Sequence, residues 1–281
     1  MVLEILELGF VQRALIAAAA VAITSSVIGL FLVLRRNSLF GDALSHVAFG
    51  GIAIGFVTNT YPLWTGLALS VLGALGITKL RQSARIPADA AVAILLSSGL
   101  ALGIVLMSLS GGITADLFSI LLGSIFLVSV EDTVAILAMA GIILAVVILL
   151  YRQLMYVTFD EEQAQVSGLQ ISKLNYLFIV IASVGVLVSM RLVGILLVSS
   201  LIVIPNVTAL LFGKGFKKTA LISVCVSLIS VMTGIAVSYA FDIPPAGTIV
   251  LVSIAIFLAA LAGKSIAKKR LKEKVADEIK S

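Results

Sequence analysis

Asp42 and His46 form the one carboxylate–imidazole couple that neighbouring residues can assemble here, because His46 is the single histidine of the chain. Four residues apart, they share a face of any helix that contains them. They stand where an apolar segment begins, and charge inside hydrocarbon is costly, so such a couple marks a functional site. A carboxylate with a neutral imidazole suits a divalent transition metal such as zinc or manganese. Two ligands are too few for a stable site. Two copies of the chain facing each other across a two-fold axis would supply two Asp and two His. The same residues also admit a packing role, with Asp42 capping a helix that follows the breakers Asn37, Ser38 and Gly41, and His46 bonded to a neighbouring carbonyl.

Three other stretches carry polar chemistry. Residues 151–173 include three successive acids, Asp160, Glu161 and Glu162, then Ala164, Ser167 and Gly168. Acids at the positive end of a short helix stopped by Gly make a compact handle for a partner protein, or an ordinary solvated loop helix. In 191–212, Pro205 invites a kink, while Ser199, Ser200, Asn206 and Thr208 could bond across helices or line a path. In 241–251, Asp242 precedes two prolines and reads as a surface acid or as a ligand for an incoming cation. No nucleophile–base arrangement and no phosphate-binding loop is visible, so any ATP hydrolysis belongs on a separate chain and no intrinsic cofactor is expected.

The elements that must position these residues follow from composition. Of 281 residues, 61% are hydrophobic and 12% charged, against about a quarter charged in soluble domains. So much apolar surface needs lipid as its solvent. The net charge of +5 is not a nucleic-acid signature, because the basic residues lie in short joints and a tail between apolar runs. Cys225 lies alone in an apolar run, which leaves no intrachain disulfide and no Cys-based metal motif. Glu4 and Glu7 precede the first apolar run, which therefore reads as a retained span rather than a signal peptide.

Spanning helices need about 20 apolar residues, and candidates lie near 10–34, 42–58, 62–80, 88–109, 131–151, 173–190, 192–212, 219–240 and 246–263. The expected fold is all-α and polytopic, with about nine spans (eight to ten) in a single domain, 1–263, and a basic cytoplasmic tail, 264–281. The run 113–128 is short and interrupted by Asp116. Read as a re-entrant or interfacial helix, it leaves seventeen of the nineteen Lys and Arg residues on one side, with only Arg13 and Arg191 opposite. The positive-inside rule then puts the N-terminus outside and the C-terminus in the cytoplasm. Counted this way, Asp42 starts near the inner face, so residues 35–41 must dip inward if it is to reach a mid-membrane site.

In this order, the four segments resemble the membrane permease subunits of prokaryotic ABC importers for zinc, manganese and iron. The likeness is carried by Gly41-Asp42-Ala43 with Ser45-His46; by Asp160, Glu161, Ala164, Ser167 and Gly168; by Gly194 and Leu196 to Val198 with Ile204-Pro205; and by Pro245, Gly247 and Thr248 to Leu251. It runs from about residue 10 to 263. The resemblance implies a homodimer in the prokaryotic plasma membrane, two cytoplasmic ATP-binding subunits and an extracytoplasmic metal-binding protein that delivers cargo. It implies metal contact at Asp42 and His46, ATPase coupling through 160–168, and alternating access. Two positions depart from the pattern: Asn206 stands where a small residue is expected, and Ser124 where an acid is expected. Rival readings are an ion- or proton-coupled secondary transporter, an intramembrane enzyme and an ABC permease for a metal-chelate cargo.

Overall fold

The computed structural model describes residues 9–84, 86–109, 123, 129–195 and 198–280. The run 113–128, with Ser124, lies outside these apart from Gly123. Eleven α-helices make up the described residues: α1 (Gly9–Leu34), α2 (Phe40–Val57), α3 (Pro62–Ala84), α4 (Ala88–Leu109), α5 (Val130–Leu149), α6 (Tyr151–Phe159), α7 (Glu161–Val166), α8 (Ile171–Val193), α9 (Val198–Leu210), α10 (Phe216–Phe241) and α11 (Pro245–Lys280).

Helices are what hydrocarbon demands of such a sequence, since each backbone N–H must find its acceptor within its own segment. Eight of them are long and apolar enough to cross a bilayer, and the chain is a multi-pass membrane protein. One expected span differs. In place of 192–212, α8 continues to Val193, turns at Gly194 (φ 83°), and only the 13-residue α9 follows. At about 1.5 Å per residue α9 covers roughly 20 Å, short of a full crossing. The reason is local: Gly194 adopts a φ that a side chain resists.

α1, α2 and α8 are the most buried helices, whereas α3, α10 and α11 turn mostly exposed surface outward. Much of that surface is apolar, including Leu72, Leu221, Ile229, Leu251 and Leu258. This is the arrangement of a bundle solvated by lipid. Packing of α2 on its neighbours depends on missing side chains. A Cβ at Gly99 of α4 would lie 2.6 Å from the Val47 N and Cα atoms and 2.7 Å from the His46 carbonyl carbon. One at Gly51 would lie 2.6 Å from the Thr65 carbonyl oxygen of α3. Small residues let helices approach closely in lipid, and here they clamp α2 from two sides.

Candidate functional site

Asp42 lies in the first turn of α2, but it is not the cap. The helix starts earlier than its breakers suggest: Leu39 is the N-cap residue and has no side-chain capping bond. Gly41 is helical, and its Cα faces Ile202 of α9 and Val186 of α8. The capping role open to Asp42 in the sequence is therefore not the one it takes.

His46 Nε2 stands 3.9 Å from Asp42 Oδ1, with 12% of the His46 side chain and 23% of the Asp42 side chain exposed. That distance is too long for a hydrogen bond. In a tetrahedral zinc site N and O ligands at about 2.0–2.2 Å lie about 3.4 Å apart, so the couple would close by about half an ångström to grip one ion. His46 Nδ1 is buried with no hydrogen-bond partner, so the carbonyl bond offered as its packing role is not made at that nitrogen. Beneath them, the Ser45 hydroxyl donates to the Asp42 carbonyl (2.7 Å) and approaches the Ile195 carbonyl (3.4 Å), just past the break in α8. No group of three or more His, Cys, Asp or Glu side chains able to hold a metal occurs among the described residues.

The depth of the couple follows from its neighbours. Arg35, one residue past α1, stacks on Phe178 of α8. Gly41 instead meets Val186, which lies eight residues, or about 12 Å, farther along α8. Residues 35–41 thus run back into the bundle, as a site away from the helix ends requires.

The acids 160–168 form the predicted short helix. Asp160 is the N-cap, its Oδ1 accepting from Gln163 N–H at 2.9 Å. Gly168, at φ 83°, ends the helix. The Leu169 N–H reaches the Ala164 carbonyl (3.2 Å) and the Gly168 N–H reaches that of Gln165 (3.0 Å), the paired closure of a left-handed C-terminal cap. Ala164 is fully buried with Val157 and Leu174, while Glu161 and Glu162 are exposed and Val166 is 90% exposed. One face anchors to the bundle and the other is free. Gly168→Ala should cost about 1–2 kcal/mol, because a Cβ disfavours the left-handed conformation. Faster hydrogen–deuterium exchange at the Gly168 and Leu169 amides would register it.

The remaining predicted residues separate. Asn206 bonds across helices: Ser26 donates to Ser223 (2.9 Å), Ser223 to Asn206 Oδ1 (2.6 Å), and Asn206 Nδ2 to the Ile202 carbonyl (2.7 Å). All three side chains are buried, so a polar residue stands where a small one was expected because α1 and α10 supply its partners. Thr208 turns back to the Ile204 carbonyl (2.7 Å), and Ser199 and Ser200 are half-buried. Asp242 ends α10 in the left-handed conformation (φ 53°); α10 and α11, which flank it, pack on α1 and α9 rather than on α2. Arg191, one of two basic residues that break the charge pattern, is paired with Asp132 at 2.8 Å. These two border a cavity of about 250 Å³ beside Tyr61 and Trp64, which neither Asp42 nor His46 lines. Sequence reasoning missed the role of Arg35, which reads as one more inside charge because its partners Thr158 and Asn175 lie more than a hundred residues away.

Known proteins repeat this whole arrangement. A probable metal transport system membrane protein from Treponema pallidum is 32% identical over 265 residues, covering 94% of this chain and 99% of the relative. The manganese transport system membrane protein MntC of Halalkalibacterium halodurans is 33% identical over 254 residues, 90% of this chain and 87% of its own. Among solved structures, PsaBC from Streptococcus pneumoniae in complex with Fab superposes with a TM-score of 0.84 at 30% identity, covering 92% of this chain and 95% of that one. The profile of the ABC 3 transport family matches residues 7–264, and the chain belongs to that family.

Proposed function

We propose that the chain is the membrane permease subunit of an ATP-driven importer of divalent transition-metal ions, with manganese or zinc as the favoured cargo and iron also compatible. The observation that carries this reading is the Asp42–His46 couple, on one face of α2 with its side chains 3.9 Å apart and His46 Nδ1 without a partner. The names of the relatives, which include manganese transport and a probable iron transport system, agree with it.

A couple with only two ligands holds an ion weakly. Two copies related by a two-fold axis would bring four ligands together, enough to capture a hydrated ion and few enough to release it. An extracytoplasmic metal-binding protein would deliver the ion. Separate ATP-binding subunits would dock on α7 through Glu161, Glu162 and the exposed Val166, and their closure would switch the access of the dimer from outside to inside. The distribution of Lys and Arg favours an external N-terminus and a cytoplasmic C-terminus in a prokaryotic plasma membrane. In this reading residues 1–263 form one permease domain, and α11 carries the basic tail, 264–281, into the cytoplasm. Asp242 serves as a helix stop and is not needed as a ligand.

The test is uptake of manganese(II) and zinc(II) by proteoliposomes that contain the permease with its ATP-binding subunits and metal-binding protein. Accumulation should require ATP inside the ATPase-bearing compartment and should survive a protonophore. Uptake by the isolated permease, driven by a proton gradient without ATP, would replace this reading with the secondary transporter.

A further inference from the structure

Arg35 stands seven residues before Asp42 and is held from two other elements. Its Nε donates to Thr158 Oγ1 of α6 at 3.0 Å, and its Nη1 to Asn175 Oδ1 of α8 at 2.8 Å. Its guanidinium carbon lies 4.7 Å from the centroid of the Phe178 ring. Asn175 also donates, through Nδ2, to Glu161 Oε1 at 3.1 Å. One amide therefore joins the end of α1 to the first residue of the acidic helix.

The arrangement is incomplete at one atom. Arg35 Nη2 is buried with no acceptor, and a buried charged donor left unsatisfied is costly. Burial pushes the Arg35 pKa down from its ordinary value, and the nearby Glu161 charge opposes that shift. The carboxylate that would satisfy Nη2 is thus already within electrostatic reach, with Asn175 bonded to both.

The other side of Arg35 is stiff. Arg36 adopts φ 57°, unusual for a residue with a Cβ. The Arg36 N–H bonds the Val33 carbonyl (3.0 Å), the Asn37 N–H that of Leu32 (2.9 Å), and the Phe40 N–H that of Asn37 (3.0 Å). A turn closed by these backbone bonds leaves little slack between Arg35 and the start of α2.

We propose that Arg35 is a positioning residue that carries displacement of the acidic helix α7 to the Asp42–His46 couple. When α7 moves, Glu161 exchanges its bond with Asn175 for the vacant Nη2 of Arg35, and the stiff turn passes the shift to the first turn of α2. The fork of the guanidinium is needed because it reaches separate acceptors at once, which the point charge of a lysine cannot do. This inference rests on the importer reading above.

The experiment measures manganese(II) taken up and ATP hydrolysed in the same proteoliposomes, with the complete transporter. In Arg35→Ala, the ratio of ions moved to ATP consumed should fall about tenfold, the scale of a typical coupling between sites, while ATP hydrolysis persists. Arg35→Lys should recover part of the ratio. Asn175→Ala, which keeps the Arg35 charge, should lower it by a smaller factor, and this variant decides the matter if Arg35→Ala does not reach the membrane. Parallel loss of both activities at a constant ratio would reduce Arg35 to a structural role, and an unchanged ratio in Asn175→Ala would remove the link to Glu161. If the wild-type complex moves no metal, the importer reading itself falls; if the wild type moves metal and the Arg35→Ala ratio equals its own, only the role of Arg35 falls.

Discussion

Replacing His46 with Ala should reduce metal uptake by the assembled transporter about 100-fold or more, with the permease still inserted and still bound to its ATP-binding subunits. Removing residues that merely orient a metal ligand already costs about 10–100-fold, and here half of a two-member set would be lost. The neighbouring structure should tolerate the change. Ser45, which bonds the Asp42 and Ile195 carbonyls, and Gly99, which contacts the backbone rather than the imidazole, are untouched. Asp42→Asn should show a similar loss while keeping the side-chain volume. Uptake is measured with radiolabelled manganese or zinc, and assembly by co-purification of the ATP-binding subunits. Wild-type uptake in His46→Ala would dismiss the couple as the ion's contact.

Gly99→Ala should be nearly as damaging, by packing alone. The added carbon would sit 2.6 Å from the Val47 N and Cα atoms, and backbone cannot swing aside as a side chain can. Overpacking of this kind costs about 1–3 kcal/mol, and here relief requires moving α2 at His46 itself. Both the melting temperature in detergent and metal uptake should drop. Gly76→Ala is the comparison, because no atom lies within 4 Å of its added carbon. In a helix that change should be neutral or stabilising by up to about 1 kcal/mol. Equal melting temperatures for the two variants would mean that α4 does not press on α2 as described.

The two substitutions also separate what the amino-acid order reveals from what it hides. The spans were legible because hydrocarbon imposes a length and tolerates few charges, so Gly9–Leu34 and Phe216–Phe241 stand out in composition alone. The short helix at 161–166 was legible because acids at one end and Gly168 at the other are local signals. The Asp42–His46 couple was legible because both residues lie on one helix. What could not be read was anything that depends on which helix faces which. Asn206 looked out of place until Ser26 and Ser223 arrived from distant parts of the chain. Arg35 is likewise explained by Thr158 and Asn175, more than a hundred residues away. The late start of the seventh span was hidden for another reason: Gly194 is one of 23 glycines, and only its φ distinguishes it from those that remain helical.

The interruption between α8 and α9 has a consequence for solvent. Main-chain amides that leave a helix part-way through a bilayer find no hydrogen-bonding partner in acyl chains. Gly194 and Ile195, where the chain leaves α8, are buried by the rest of the protein, which keeps their main-chain groups away from acyl chains. The Ile195 carbonyl looks toward Ser45, the residue beside the lone imidazole.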